Sequence, residues 1–420
     1  MSQILKGLHG RINYICAMNS KNAMLFIFIT IVIDATGLGI IIPTLPDLIA
    51  ETSNVELGES KMYAGYIAMV YAVMQFIFAP IVGGLSDRFG RRPVLLLSLF
   101  GLAIDYMIMF YAPSLMWLVI GRCISGMFGA SYSTATAYIA DISTDENRTK
   151  NFGLVGAAFG VGFIIGPAIG GVLGDVGIRV PFLFAAGLSF LNFLYGIFVL
   201  KETLSVENRR PFNLKRSNPI GSFIQIIKYK ELANMFLVIF MYHLAGTAIQ
   251  HSWVYLTKER FAWTELDVGI SLAVVGVCVA VVQGGLAGMF AKKWGDVRTA
   301  YVGLIMFVFS TMGIGLANEG WMLYVLMLPY AFTGLAGPTI QAIMSKNTAA
   351  SEQGELQGSI TSIVSLSEII GPVLMMSLMS WTTVGIPEEE RIYGSPYFAA
   401  AFFVLVAFFF FYRAVKRQTS

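Results

Sequence analysis

The chain has 420 residues, 56% hydrophobic and 13% charged, with a mean hydropathy of +0.71. A soluble domain carries about 25% charge, so half that value excludes an ordinary soluble enzyme and implies a polytopic membrane protein. A net charge of +3 gives no case for nucleic-acid binding.

A membrane-spanning helix needs about 20 mostly apolar residues. Twelve such runs are present, at about 23–49, 62–83, 94–112, 115–140, 151–174, 180–200, 232–256, 267–291, 299–317, 321–345, 356–380 and 396–413. The first is long, ends in Pro43 and Pro46 and has no small-residue cleavage site, so it reads as a span and not a signal peptide. Cys16, Cys123 and Cys278 are scattered, without disulfide or metal spacing, and read as buried filler.

The widest polar gap, 201–231, holds Lys201, Arg209, Arg210, Lys215, Arg216, Lys228 and Lys230. The expected layout is all-α: a six-helix bundle over 1–200, a cytoplasmic linker over 201–231 and a second six-helix bundle over 232–420. With both termini inside, 22 of the 28 Lys and Arg fall in inside segments, which fixes the orientation by the positive-inside rule.

Between the second and third spans lies a short basic loop, Gly83–Leu97, reading GGLSDRFGRRPVLLL. Gly90 suits a sharp reversal there because glycine tolerates φ > 0. Asp87, Arg88, Arg91 and Arg92 put four charges beside nearly uncharged helices. The segment has an echo in Gly288–Arg298, GMFAKKWGDVR. Gly83/Gly288, Gly90/Gly295, Gly153/Gly358 and Gly166-Pro167/Gly371-Pro372 all align at an offset of 205. Spans 2–5 therefore recur as spans 8–11. Span 7 aligns with span 1 after a four-residue shift, placing His243 over Asp34. Two halves of one topology are parallel repeats, and transporters built this way hold substrate between the halves near the midplane.

Four charged residues remain at depth: Asp34, Asp105, Arg122 and Glu368. Each costs about 2.5–3.5 kcal/mol on insertion scales, and such residues mark ion or substrate paths unless they merely tie helices together. Asp34 and Asp105 lie about 11 residues into their spans, roughly 16 Å deep, and Glu368 roughly 20 Å. Arg122 is long enough to reach either aspartate. A carboxylate whose arginine contact changes between two conformations binds a proton in one and releases it in the other. His243 reads first as a hydrogen-bonding residue, with a proton role as the sharper alternative. In the fifth span Gly162, Gly166 and Gly170 line one face, with Pro167 and Gly171 beside them, which favours close helix approach. Gly126, Gly129, Ala130 and Ser133 form a similar face on the fourth. No phosphate loop, HExxH or GxSxG occurs, so nothing supports an ATPase or hydrolase.

On these motifs the chain resembles the major facilitator superfamily, and within it the twelve-helix drug/proton antiporters of the tetracycline-efflux type. Gly83–Arg92 resembles the superfamily's loop 2–3 signature, Gly121-Arg122 through Gly129-Ala130 its fourth-helix signature, and Gly162–Gly171 the fifth-helix antiporter signature. Similarity extends through Asp34–Pro46, Leu97–Asp105, Ala137–Ser143 and Gly354–Gly358. The resemblance implies Asp34 and Asp105 as membrane carboxylates for substrate and protons, and Arg122 as a participant in proton transfer. It implies a conformational latch of Asp87, Arg91 and Arg92 with Asp141 as partner, and Gly166-Pro167 sealing one conformation. Two positions depart from the type: Phe307 falls where the ninth span carries a carboxylate, and Val279 where the eighth can carry a histidine. Glu368 is expected to supply the second-half carboxylate instead.

The expected protein is thus a proton-coupled exporter of a small amphipathic compound in the cytoplasmic membrane. It would be monomeric and driven by the proton gradient without a cofactor. A proton-coupled metabolite importer is the alternative; a non-transporting receptor would not need Asp34, Asp105 and Arg122 together.

Overall fold

The computed structural model describes residues 24–129, 131–143, 148–210, 212, 232–349 and 352–419, and among these every regular element is helical. Helices are what a lipid-embedded chain can form, because the backbone must satisfy its own N–H and C=O groups there. Met24–Ile41, Lys61–Phe89 and Arg91–Tyr111 are the first three spans. Arg148–Val176 and Val180–Val199 are the fifth and sixth, Ala233–Phe261 the seventh, and Gln353–Trp381 and Ser395–Thr419 the last two.

The other spans are interrupted, a detail that hydropathy does not carry. The fourth is two helices, Leu115–Phe128 and Ser131–Ile142. Gly129 N–H closes the first on the Ser125 carbonyl. The tenth runs Gly320–Ala331, passes through a 3-10 turn at Phe332–Leu335 and resumes as Ala336–Lys346. Pro329 precedes that turn and removes a backbone donor. The first span is shorter than the sequence suggests: it stops at Ile41, and a separate helix, Leu45–Ser53, begins with Pro46 in its first turn. The eighth span, Glu265–Val281, continues through a π-helical segment, Val282–Leu286, into Ala287–Leu316, which also contains the ninth. The break between eighth and ninth is the non-helical Gly295.

The internal repeat is visible in the backbone. Gly90, between the second and third spans, has φ 107 and ψ 161; Gly295, 205 residues on, has φ 79 and ψ 161. Only glycine adopts this region without strain of about 1–3 kcal/mol. The ion pair Arg91–Asp141 (3.1 Å) recurs at the same offset as Asp296–Lys346 (2.5 Å), with the charges exchanged. The packing repeats too. Gly65 of the second span lies against Pro372 and Val373 of the eleventh, and Gly269 of the eighth against Pro167 and Gly171 of the fifth. Each half thus rests its glycine on the other half's helix-interior proline.

Each half has its own core. Ile27, Leu95, Tyr138 and Ile139 centre one cluster of the first half, and Ile40, Leu102, Tyr106 and Phe182 another. Ile239, Leu304, Phe307, Ile340 and Val404 centre the second half. A further cluster, built on Trp253, Tyr255, Leu256 and Tyr397, takes in Leu57 and Ala64 of the first half.

The fifth and eighth spans cross like scissor blades. Near Gly171 and Gly174 they touch, with Glu265 and Leu266 where side chains at those glycines would point. Gly276 still meets Ile164, but Gly153, Gly156 and Gly160 on one blade and Gly284, Gly285 and Gly288 on the other face open space. The halves are therefore closed at the end carrying Lys61, the Lys61 face. Among the described residues the two spans separate toward the end carrying Gly90, the Gly90 face.

Candidate functional site

At mid-depth in the first half, Arg122 Nη2 donates to Asp105 Oδ2 at 2.5 Å. Asp105 has no exposure and Arg122 only 6%. Of the two aspartates within its length, Arg122 takes Asp105. Gly121 makes the pair possible: a Cβ there would stand 2.7 Å from Asp105 Oδ1. Arg122 Nη2 also lies 2.6 Å from Met109 Sδ. Asp105 Oδ1 and Arg122 Nε are buried without a hydrogen-bond partner among the described residues. Burying an ion pair is favourable only with such close geometry, and removing one partner typically costs about 3–5 kcal/mol.

Asp34 stands on the first span, half-buried, with Asn192 Nδ2 of the sixth span 3.5 Å from its Oδ1. Asn192 is held by Thr30, whose hydroxyl donates to Asn192 Oδ1 at 3.2 Å. Tyr106 lies one residue after Asp105, and its hydroxyl would be 3.4 Å from a Cβ on Gly37, three residues after Asp34. Tyr71 and Gln75 of the second span both lie beside Gly129 of the fourth. Glu368 stands half-buried on the eleventh span. His243 stands apart, edge-on to Tyr242 at 5.3 Å between ring centres. Asn192, Tyr71, Gln75 and Tyr106 were not singled out by sequence. Uncharged polar residues in a span carry no cost signal like that of a charge.

The two positions that depart from the efflux type are apolar core. Phe307 is 2% exposed and meets Tyr242 and Tyr330 edge-on. Val279 packs around Val282, Ala331 and Leu335. The fifth-span glycines seat the first span: side chains at Gly162, Gly166 and Gly170 would collide with Val32, Thr36 and Ile40 backbone carbonyls. Gly126 of the fourth span likewise lies on Tyr71 and Met74 of the second. Ala130 and the side chain of Ser133 lie outside the described residues, as does Cys16.

At the Gly90 face, Arg91 is the hub. Its Nη1 donates to Asp87 Oδ1 at 2.6 Å and to Ser86 Oγ at 2.7 Å, and its Nε to Asp141 Oδ2 at 3.1 Å. Arg92 instead donates to the Ile197 carbonyl, and Arg88 lies over the Phe89 ring. Glu202, unnoticed in the sequence, accepts the N–H groups of Arg91 (2.9 Å) and Arg92 (3.2 Å). Those are orphan donors at the start of the third-span helix, where a negative charge also opposes the helix dipole. A Cβ on Gly90 would collide with Glu202 Oε2. Gly83 has open space around it. Every bond of this cluster ties the second, third, fourth and sixth spans of one half together.

An apolar groove of about 670 Å³ runs between the third and sixth spans, lined by Phe100, Ile104, Met107, Trp117 and Phe190. Its walls are partly exposed on the flank of the bundle, away from the charged residues.

Two helical halves with a charged pair buried at mid-depth have the layout of a membrane transporter. The sequence model of the Major Facilitator Superfamily matches residues 27–372 and 235–420, and the chain belongs to that superfamily. It is 39% identical over 361 residues to the class C tetracycline resistance protein of Escherichia coli, covering 86% of this chain and 90% of that protein. It is 29% identical to multidrug resistance protein 2 of Bacillus subtilis (strain 168), covering 84% and 88%. The solved structure of the nucleoside transporter NupG superposes with a TM-score of 0.74 at 12% identity, over 93% of this chain and 98% of that one. The chain is a multi-pass drug-efflux transporter of the superfamily.

Proposed function

We propose that the protein exports a small amphipathic compound, tetracycline-like in class, in exchange for protons by alternating access across the cytoplasmic membrane. Both termini and the 201–231 linker face the cytoplasm, the two bundles are 1–200 and 232–420, and the working unit is a monomer. The observation that carries the reading is the buried Asp105–Arg122 pair, in a molecule whose fifth and eighth spans meet near Gly171 and have no neighbour at Gly160 and Gly284 among the described residues. With the positive-inside orientation, the separation between these spans is the cytoplasmic entrance, and substrate loads there.

In this reading Asp34 and Asp105 take protons in the outward-open state and release them inward. A carboxylate that meets Arg122 in one state and not in the other changes its proton affinity between them. Glu368 supplies a carboxylate from the second half. The Arg91 cluster with Asp87 and Asp141 keeps one half rigid as it rocks. Relocating one such ion pair would need to shift the equilibrium by only about 1–3 kcal/mol. No cofactor is required, since the proton gradient supplies the energy. The Asp105–Arg122 pair and Glu368 favour proton coupling, and the tetracycline and multidrug resistance relatives favour export over metabolite import.

The test is uptake of labelled tetracycline, or another drug from a small panel, into inverted membrane vesicles under an imposed pH gradient. Uptake that collapses with the gradient and falls at least tenfold in Glu368→Gln supports the proposal. Uptake indifferent to the gradient overturns it.

A further inference from the structure

Lys61 opens the second span at the Lys61 face, yet its side chain has no solvent exposure. An ammonium leaves water only for close partners. Both of its partners belong to the other half: Nζ donates to Glu259 Oε2 of the seventh span and to Thr383 Oγ1 after the eleventh, each at 2.7 Å. The second oxygen of Glu259 is buried without a hydrogen-bond partner among the described residues, so Lys61 is the one cation that bonds this carboxylate there.

The surroundings repeat the pattern. The Ser60 hydroxyl meets that of Tyr255 at 3.0 Å across the halves. Lys258, adjacent to Glu259, bridges Asp47 of the first half (2.5 Å) and Glu265 of its own (2.7 Å). Leu57 and Ala64 pack into the second half's Trp253–Tyr255 cluster. Residues 198 and 322 positions apart meet here, each bond joining one half to the other. The Arg91 cluster, by contrast, lies within a single half.

We infer that Lys61 is a positioning residue of the transport cycle. Its bonds to Glu259 and Thr383, seconded by Lys258–Asp47, pin the halves shut at the outer face, and outward opening proceeds by their release. A rigid-body rocking that parts the second span from the seventh and eleventh must break both Lys61 bonds together. The inference rests on the alternating-access reading above.

The test measures distance between spin labels at Glu56→Cys and Glu319→Cys, with Cys16, Cys123 and Cys278 changed to serine, by pulsed electron resonance in nanodiscs without substrate. The parent protein gives one predominant short distance. Lys61→Met and Glu259→Gln each raise the ratio of long to short distances at least tenfold. The exchanged pair Lys61→Glu/Glu259→Lys returns it to within threefold of the parent, as loss of packing alone would not. Thr383→Val removes one bond while keeping the charge pair, and raises the ratio about two- to fivefold even if the charge variants fail to fold. Single variants within twofold of the parent, or an exchanged pair as open as the singles, overturn the inference. Because no drug is present, a shifted distance in a protein that moves no drug would sink the export reading and leave the lock standing.

Discussion

Gly90→Ala tests whether the turn before the third span is set by backbone conformation alone or also by Glu202. At φ 107 and ψ 161 an alanine is strained by about 1–3 kcal/mol. Its Cβ would also drive Glu202 off the N–H groups of Arg91 and Arg92. Loss of such a cap costs about 0.5–2 kcal/mol more, for a total of roughly 1.5–5 kcal/mol. Gly295→Ala is the internal control. It has nearly the same backbone, φ 79 and ψ 161, but nothing within 4 Å of the new Cβ, so it carries the strain without the lost cap. Unfolding by SDS titration in mixed micelles should show Gly90→Ala costing about 1 kcal/mol more than Gly295→Ala. In a Glu202→Ala background the excess should vanish, because the clash and the cap are already gone. Equal costs for the two glycines in the parent protein would refute the reasoning.

Three further outcomes follow from the same contacts. Asp105→Asn leaves Arg122 buried without its counter-charge and should destabilise the protein by about 3–5 kcal/mol in the same titration, whereas Asp87→Asn, on a half-exposed carboxylate, should cost less than about 1 kcal/mol. Gly269→Val places a side chain against the Pro167 carbonyl across the halves, and should make cysteines at the Lys61 face label several-fold faster with an impermeant maleimide added from outside. Phe307→Glu, which installs the carboxylate expected of the efflux type, should lower folded yield and thermal stability sharply and should not improve tetracycline export, since the site is sealed between Tyr242 and Tyr330.

Much of this molecule is legible in the chain. Long apolar runs report spans because the bilayer leaves helices as the solution, and the offset of 205 reports the repeat because glycine and proline mark fixed backbone events such as Gly90 and Gly295. Charged residues at depth stand out by their cost, so Asp34, Asp105, Arg122 and Glu368 are legible, although not which aspartate Arg122 pairs with. What escaped was pairing over long separations. Lys61 reads as a polar residue at a helix start, and nothing local announces Glu259 or Thr383 as its partners. Glu202 reads as part of a charged linker, although it caps a helix that begins 111 residues earlier. The interruptions in the fourth and tenth spans are set by local turns at Gly129 and Phe332–Leu335, which leave hydropathy unchanged. The charge exchange between Arg91–Asp141 and Asp296–Lys346 was present in the sequence but becomes meaningful only once both pairs are seen in contact.

The central claim is exchange of drug for protons through the first-half carboxylates. It is tested most directly in liposomes holding a trapped pH dye, with a proton gradient imposed and the drug panel added, comparing the parent protein with Asp34→Asn. The account predicts drug-evoked proton movement in the parent and its loss in the variant at unchanged folded yield. Proton movement that persists in Asp34→Asn, or drug transport in the parent without any proton movement, would contradict it.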